Sequence, residues 1–391
     1  MTEGQSFDLP SGLPGSWVEQ AGPTWWTWSR DWLALKWPQW SGHSRRTGVE
    51  SLVLLAQLMV RERAPAPPAG CADWLRKVGY QPAAPSAPSP ASKWLDRWSI
   101  PLADIDPVLL ERVLRATSTR ADGASTVAAV ARRRRHTLGT VLRTAVRRGA
   151  LATNPIDRVE WRAPTPSLGL DVSTVPSPDD VRAIVDLVVV MPTGASRYAA
   201  LFAAVGMAGM RPSEAIGLLI PDLDLPSKGW GLATLRGAVT SPGTRYTHDG
   251  SVVEKKGLKQ RAAGSVRAVP LPPELVHRLR HHLKQFEPVE GRVFSNRPGR
   301  PVTTTNYGPI WVRARTQLWP TGHPLASATV YHLRHSAATM MLRARVPPAE
   351  VARRLGHSVD VLMRVYAGVF DDERERSNEL IDEALRTCPD R

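Results

Sequence analysis

Between residues 24 and 148 apolar side chains recur at helical spacing, and prolines cut the run into separate blocks. The first block, 24–37, carries Trp25, Trp26, Trp28, Trp32, Leu33 and Trp37. The second, 44–63, carries Val49, Leu52, Val53, Leu55, Ala56, Leu58 and Met59. Proline clusters at 65–68 and 82–90 read as loops, and shorter helices are expected at 92–98 and 107–116. The longest helical signal of this half is 125–148, where Val127, Val130, Ala131, Leu138, Val141, Leu142, Ala145 and Val146 form a partial stripe. Gly149 stops that helix and Asn154-Pro155 turns the chain. Seven of the fourteen tryptophans lie in the first forty residues. At mixed helical spacing they are expected to pack a core rather than to stack on bases.

The pattern then changes. Residues 162–178 are rich in Pro, Ser and Thr, the composition of an extended linker, while residues 1–22 lack periodicity and read as a flexible leader. Ser177-Pro178-Asp179-Asp180 has the proline and acidic first turn of a helix start, ahead of Val181, Ile184, Val185, Leu187 and Val188. Another helix is expected at 197–208. Alternation at 231–236 and 266–271 predicts two strands flanking a long hairpin, and the chain after 274 reads mainly helical. The expected fold is mainly α with a small β-sheet, organised as 1–22, 23–163, 164–177 and 178–391.

Composition narrows the function. A formal net charge of +15, from 51 basic against 36 acidic side chains, points to a polyanionic partner, nucleic acid before an anionic membrane. Arg132, Arg133, Arg134 and Arg135, with Arg143, Arg147 and Arg148, give the long helix a basic face suited to a DNA backbone. Arg45 and Arg46 open the second helix, placed either to touch a phosphate or to end in solvent. No run of eighteen apolar residues exists and the first twenty residues are polar and acidic, so neither a membrane span nor a secretory signal is expected. Cys71 and Cys388 sit far apart, which argues against a disulfide scaffold and a cysteine zinc site and fits a reducing cytoplasm. His277 and His281 stand four apart without an obvious third ligand and read as an exposed helix face. No metal and no cofactor is implied.

The chemistry lies in the second half. Arg211 sits in Gly209-Met210-Arg211-Pro212-Ser213-Glu214, between a glycine-broken helix end and a helix opened by proline. Glu214 is placed to orient its guanidinium; the alternative is a helix cap with a surface ion pair. Arg334 in Tyr331-His332-Leu333-Arg334-His335 precedes a run of small and apolar residues that looks buried, and a buried cation needs a partner such as phosphate. His357 follows Leu355-Gly356, and Tyr366 stands nine positions on. On one continuous helix these two side chains would point to opposite faces. Pro347-Pro348, Gly356 and Ser358 break the segment into two helices, so both can face one site. Fixed guanidinium groups for nonbridging oxygens, a histidine and a phenol nucleophile are what phosphodiester transfer without a metal requires.

On these motifs the chain resembles the tyrosine recombinase (phage integrase) family. The resemblance implies a helical, SAM-like core-binding domain followed by a mixed α+β catalytic domain, which together clamp double-stranded DNA. It implies cleavage through a 3′-phosphotyrosine on Tyr366, a freed 5′-hydroxyl, and strand exchange through a Holliday junction in a homotetramer at the nucleoid. Arg211, Arg334 and His357 would hold the phosphate. In this family a hairpin lysine protonates the leaving oxygen. Of Lys255, Lys256 and Lys259 the last is chosen, because a turn at Ala263-Gly264 puts it on the hairpin's first strand. The family motif His-x-x-Arg has tyrosine here, Tyr331, which can donate to phosphate but is a poor base near neutral pH. His332 is expected to point elsewhere and His335 to be structural. The C-terminal segment 371–386, with Leu380, Ile381 and Leu385, is an amphipathic helix that docks on a neighbouring subunit or packs in cis. A type IB topoisomerase and a catalytically inactive DNA-binding relative remain as alternatives.

Overall fold

The structure is a computed structural model that describes residues 22–82, 88–119, 126–162, 170–192, 194–259, 262, 264–369 and 374–387. The expected leader, Cys388, and positions 163–169 of the expected linker lie outside the described residues. The chain divides into two compact units, Met1–Pro166 with Pro242–Val252, and Ser167–Ser241 with Val253–Arg391.

The first unit is helical. Helices α1 (Trp25–Lys36), α2 (Gly42–Leu58), α4 (Pro90–Trp98), α5 (Pro107–Thr117) and α6 (Ala128–Arg147) follow the predicted blocks, and a short helix α3 (Cys71–Trp74) that was not predicted lies between the two proline clusters. Side chains of Thr24, Ser41, Ser89 and Asp106 cap α1, α2, α4 and α5 by accepting backbone N–H groups that the helix leaves unpaired. The tryptophans pack the core: Trp25, Trp26 and Trp32 are buried with Leu33, Leu52, Leu55, Leu110, Leu138 and Leu142. Trp26 meets Tyr80 edge-on at 5.3 Å, and Trp32 meets Trp40 at 5.4 Å. Each such ring contributes roughly 4 kcal/mol through its buried area.

The basic residues of this unit divide into two groups. Arg46, Arg132, Arg133, Arg143 and Arg147 are exposed. Arg45 is not available to a phosphate, contrary to expectation. It is 0% exposed, and its guanidinium donates to the carbonyls of Trp37 (2.8 Å) and Tyr246 (2.9 Å) and meets His248. The segment 242–252, which supplies two of these partners, packs into the first unit from two hundred residues away. Two more of the predicted backbone contacts are partly committed within the fold. Half-buried Arg134 donates to the carbonyl of Thr117 at 2.6 Å, and half-buried Arg135 lies 5.2 Å from the Trp161 ring.

The second unit is built around α8 (Ala199–Ala208), which is apolar on nearly every face and buried. Around it pack α7 (Pro178–Val190), α10 (Pro273–Gln285) and α12 (Val330–Arg343); α9 (Pro212–Ile216) follows the turn at Gly209. A three-stranded antiparallel sheet has the order β1 (Leu223–Asp224), β2 (Gly231–Leu235), β5 (Arg267–Leu271), with Ala233 opposite Val269 and Leu235 opposite Arg267. Between β2 and β5 the chain makes a separate pair, β3 (Ala238–Thr240) with β4 (Glu254–Lys256). Helices α11 (Thr304–Leu318), α13 (Pro348–Leu355), α14 (Val359–Tyr366) and α15 (Arg374–Thr387) complete it. On α15, Ile381 and Leu385 are exposed. Leu170 bonds its N–H to the carbonyl of Val365 and packs with Val172 beside the Tyr366 cluster, so this end of the expected linker is part of the second unit.

Arg45→Ala removes a buried cation and strands the carbonyls it serves. The expected loss is about 3 kcal/mol in urea unfolding, whereas Arg133→Ala at an exposed position stays within about 0.5 kcal/mol of the unmutated chain.

Candidate active site

Of the residues singled out by sequence, Arg211, Glu214, Arg334 and His357 meet at the ends of helices in the second unit. Helix α8 stops at Gly209 (φ 67°) and α13 at Gly356 (φ 68°), both left-handed. Such ends expose carbonyls with partial negative charge, and cations satisfy them. Arg334, near the start of α12 and 0% exposed, donates to the carbonyls of Gly209 and Leu355, the latter at 2.6 Å. Arg211, the residue just before α9, donates to the carbonyl of Gly356 at 3.1 Å.

One buried carboxylate holds the cations together. Glu214 accepts from the backbone N–H of Arg211 (2.8 Å) and from its guanidinium (2.7 Å), and Arg334 Nη1 lies 4.0 Å away. The third cation, Arg267, was not anticipated. It donates through two nitrogens to the two oxygens of Glu214 at 3.2 and 2.7 Å and is buried. The alternation of β5 held the signal, since Arg267 shares its face with Val269 and Leu271, both buried. An arginine on the inner face of a strand requires an acid partner. At Gly356 a Cβ would sit 2.0 Å from Arg267 Nη1, so glycine serves both the left-handed turn and the close approach of the guanidinium.

The electrostatics follow from this packing. Burial alone would raise the Glu214 pKa, but the Arg267 and Arg211 charges overcome it and hold the carboxyl below its usual range. Three guanidinium groups against one carboxylate leave two positive charges in a buried cluster. Burial and the neighbouring Arg211 push Arg334 down to about 10. An anion at this place would relieve that repulsion.

His357 completes the cluster, with Nε2 2.9 Å from Arg334 Nη2. Burial and the cations Arg334, Arg211 and Arg267 lower its pKa to about 4, so the ring is neutral at pH 7. Arginine only donates; Nε2 is therefore the acceptor and the ring proton sits on Nδ1. That Nδ1 is buried with no hydrogen-bond partner among the described residues, a donor of the kind an anionic oxygen would take up.

Tyr366 ends α14 in a pocket of Ala337, Ala338, Leu355 and Leu362, 1% exposed. Its hydroxyl lies 2.8 Å from Nδ1 of His335, so the histidine expected to be structural is the one that touches the phenol. Burial raises the phenol pKa, and the Arg334 charge opposes the rise. His332 caps α12 at Thr329, as its expected orientation away from the cluster allows. Tyr331 is 40% exposed, with its ring 5.2 Å from His335.

The lysines differ from expectation. Lys255 and Lys256 lie on β4, and Lys256 pairs with Glu254 at 3.0 Å. Lys259 is exposed on a turn rather than on a strand. The β3–β4 ladder ends at the Lys256–Ala238 pair and Gly257 follows, so the chain leaves the sheet before position 259. The structure joins Arg211 to Glu214 and Arg334 to His357 by hydrogen bonds, links the two pairs by the 4.0 Å approach of Arg334 to Glu214, holds Tyr366 through His335 next to Arg334, and does not bring Lys259 into that network.

In the first unit, Arg46, Arg133 and Arg134 line a depression of about 470 Å³ together with His43 and the Arg76–Glu50 ion pair. Among the described residues no group of three or more His, Cys, Asp or Glu side chains could hold a metal, and no helix is long and apolar enough to cross a membrane.

The family model described as the phage integrase family matches residues 177–373. No curated protein sequence matches the chain. Among solved structures, the Tn1549 transposon integrase in complex with transposon right-end DNA is similar at TM-score 0.57 and 17% identity, covering 73% of this chain and 88% of that one. A lambda integrase dimer bound to a COC′ core site is similar at TM-score 0.53 and 13% identity, covering 92% and 81%. The XerH site-specific recombinase bound to palindromic difH substrate is similar at TM-score 0.50 and 18% identity, covering 74% and 72%. The fold is shared with all three.

Two outcomes follow from the cluster. Glu214→Gln leaves three buried cations without their anion and is expected to cost about 3–5 kcal/mol in chemical unfolding. His335 and His357 have folded-state pKa values of about 4, below the ordinary 6.5. As pH falls the unfolded chain binds these protons first, so the associated stability is full above pH 6.5 and lost between 6.5 and about 4. Thermal melts should drop across that window, and less steeply in the His335→Asn, His357→Asn double variant.

Proposed function

Because the chain belongs to the phage integrase family, the tyrosine recombinases, we propose that it breaks and rejoins double-stranded DNA at specific sites through a 3′-phosphotyrosine on Tyr366. The observation that carries this reading is the cluster on Glu214: three gathered guanidinium groups, a net charge of two, and the unpartnered Nδ1–H of His357 beside them.

A phosphodiester in this cluster would take hydrogen bonds on its nonbridging oxygens from Arg211, Arg334 and His357, which neutralise the charge that repels a nucleophile. Arg211 has the open side, with 16% of its side chain exposed. Glu214 keeps the guanidinium groups oriented, and Tyr331 adds a hydroxyl donor from the exposed edge. Tyr366 attacks phosphorus in line with the 5′ oxygen. Lys259 protonates that oxygen, for which its hairpin turn must swing toward the phosphate. The bond energy stays in the phosphotyrosine, and a 5′-hydroxyl from a partner duplex recovers it without ATP or metal.

In the first unit the exposed Arg46, Arg132, Arg133, Arg143 and Arg147 serve DNA phosphates. The right-end DNA held by the Tn1549 integrase, the difH substrate of XerH and the COC′ core site of lambda integrase support a duplex as the substrate. Strand exchange then runs through a Holliday junction in a tetramer at the nucleoid, in the cytoplasm. Exposed Ile381 and Leu385 on α15 offer an apolar strip to a neighbouring subunit.

Cleavage sites are to be mapped on the DNA flanking the gene and rebuilt as nicked suicide duplexes. The unmutated chain should form a covalent adduct, and Tyr366→Phe should form none while its gel-shift binding persists. Arg334→Ala should lower adduct formation by about 100-fold or more, the scale on which oxyanion-binding donors act. Adduct at an undiminished level in Tyr366→Phe would falsify the assignment of the nucleophile. Supercoil relaxation without recombinant joints between two sites would favour a topoisomerase.

A further inference from the structure

A phenol held protonated by burial cannot attack until some group accepts its proton. The family motif His-x-x-Arg offers an imidazole three residues before the arginine, and this chain has Tyr331 there. The other side chains near the cluster are already committed. Glu214 has both oxygens engaged by Arg211 and Arg267. His357 accepts at Nε2 from Arg334 and carries its proton on Nδ1, so it has no lone pair to offer. His332 accepts at Nδ1 from the backbone N–H of Thr329.

His335 differs from these. Its Nδ1 lies 2.8 Å from the Tyr366 hydroxyl, and the phenol has no other hydrogen-bond partner among the described residues. The phenol therefore donates, Nδ1 accepts with its lone pair, and the ring proton sits on Nε2. The imidazole is fixed from two sides: the Tyr331 ring stands against it at 5.2 Å and the Tyr366 ring at 5.6 Å. Arg334 is the adjacent residue on α12, so the proton acceptor and a phosphate-binding cation share one rigid helix turn.

We propose that His335 is the general base of strand cleavage, standing in for the imidazole missing at position 331. The proposal rests on Tyr366 being the nucleophile. As the phenol oxygen forms its bond to phosphorus, the O–H bond breaks and its proton goes to Nδ1, giving an imidazolium with protons on both nitrogens. The bond from phosphorus to the 5′ oxygen breaks, and that oxygen takes its proton from Lys259. In rejoining, the 5′-hydroxyl attacks phosphorus and gives its proton to the neutral Lys259 amine, while the P–O bond to Tyr366 breaks and the imidazolium returns the first proton to the departing phenolate. Burial among these rings keeps the resting imidazole neutral, with its pKa pushed down to about 4, and the negative charge of a bound phosphate beside Arg334 raises its basicity as the reaction begins.

The test measures the rate of covalent adduct formation by the full chain on the nicked suicide duplex in two versions. One has the natural 5′ oxygen at the scissile phosphate and the other has sulfur, a leaving group that needs no proton. His335→Asn keeps an acceptor close to Nδ1 but cannot take the proton. It is expected to bind DNA and melt as the unmutated chain does, yet to react roughly 100-fold more slowly on both duplexes. Lys259→Ala is expected to be slow on oxygen and restored on sulfur. His335→Gln serves as a second variant should the asparagine chain fail to fold. Reaction of a folded position-335 variant within threefold of the unmutated rate overturns the proposal and leaves His335 a positioning residue. Restoration of that variant by sulfur overturns it as well, by moving its role to the leaving oxygen. Tyr366→Phe runs alongside: adduct in that variant refutes the nucleophile itself, a result separate from either outcome at His335.

Discussion

The second unit depends on one buried carboxylate. Without Glu214 the three guanidinium groups of Arg211, Arg267 and Arg334 would face one another in a buried space with nothing to balance them. With it, the end of α8, the start of α9, strand β5 and the start of α12 are tied to one point. The carbonyls that end α8 and α13 supply a second set of acceptors, met by Arg334 and Arg211. The excess positive charge that remains is the property a phosphodiester site requires.

This arrangement gives rigidity where the chemistry needs it and isolation where it does not. Arg334 and His335 are consecutive on α12, yet one side chain turns to the arginine cluster on Glu214 and the other to the phenol. Tyr366 is shielded from solvent at the end of α14, so its protonated form is favoured until an anion and a base act together. On the proposed assignment, Tyr366 in this state would be protected from reaction in the absence of substrate.

Much of this was legible in the sequence because it is local. The helix starts at Ser177 and Ser358, the helix stop at Gly356, and the paired strands 231–235 and 267–271 follow from side chains within a few residues of each element. What escaped depends on partners distant in sequence. Arg45 looks like a surface cation at a helix start, and only the carbonyl of Tyr246 and the ring of His248 make it a core residue. Lys259 was placed on a strand by the turn expected at Ala263-Gly264, of which Ala263 lies outside the described residues, whereas β4 ends at Lys256 and pairs with β3. Arg267 could have been found, since strand alternation puts it on the buried face opposite Leu235. His335 could not, because the contact that gives it meaning crosses from α12 to α14.

The central claim is that Tyr366 attacks a phosphorus held by the Glu214-centred arginines. The most direct measurement is mass spectrometry of the trapped protein–DNA adduct after nuclease and protease digestion. The account predicts that the nucleotide remnant is carried as a 3′-phosphodiester on the peptide containing Tyr366. A remnant on any other side chain, or a 5′-phosphate linkage at Tyr366, would contradict it.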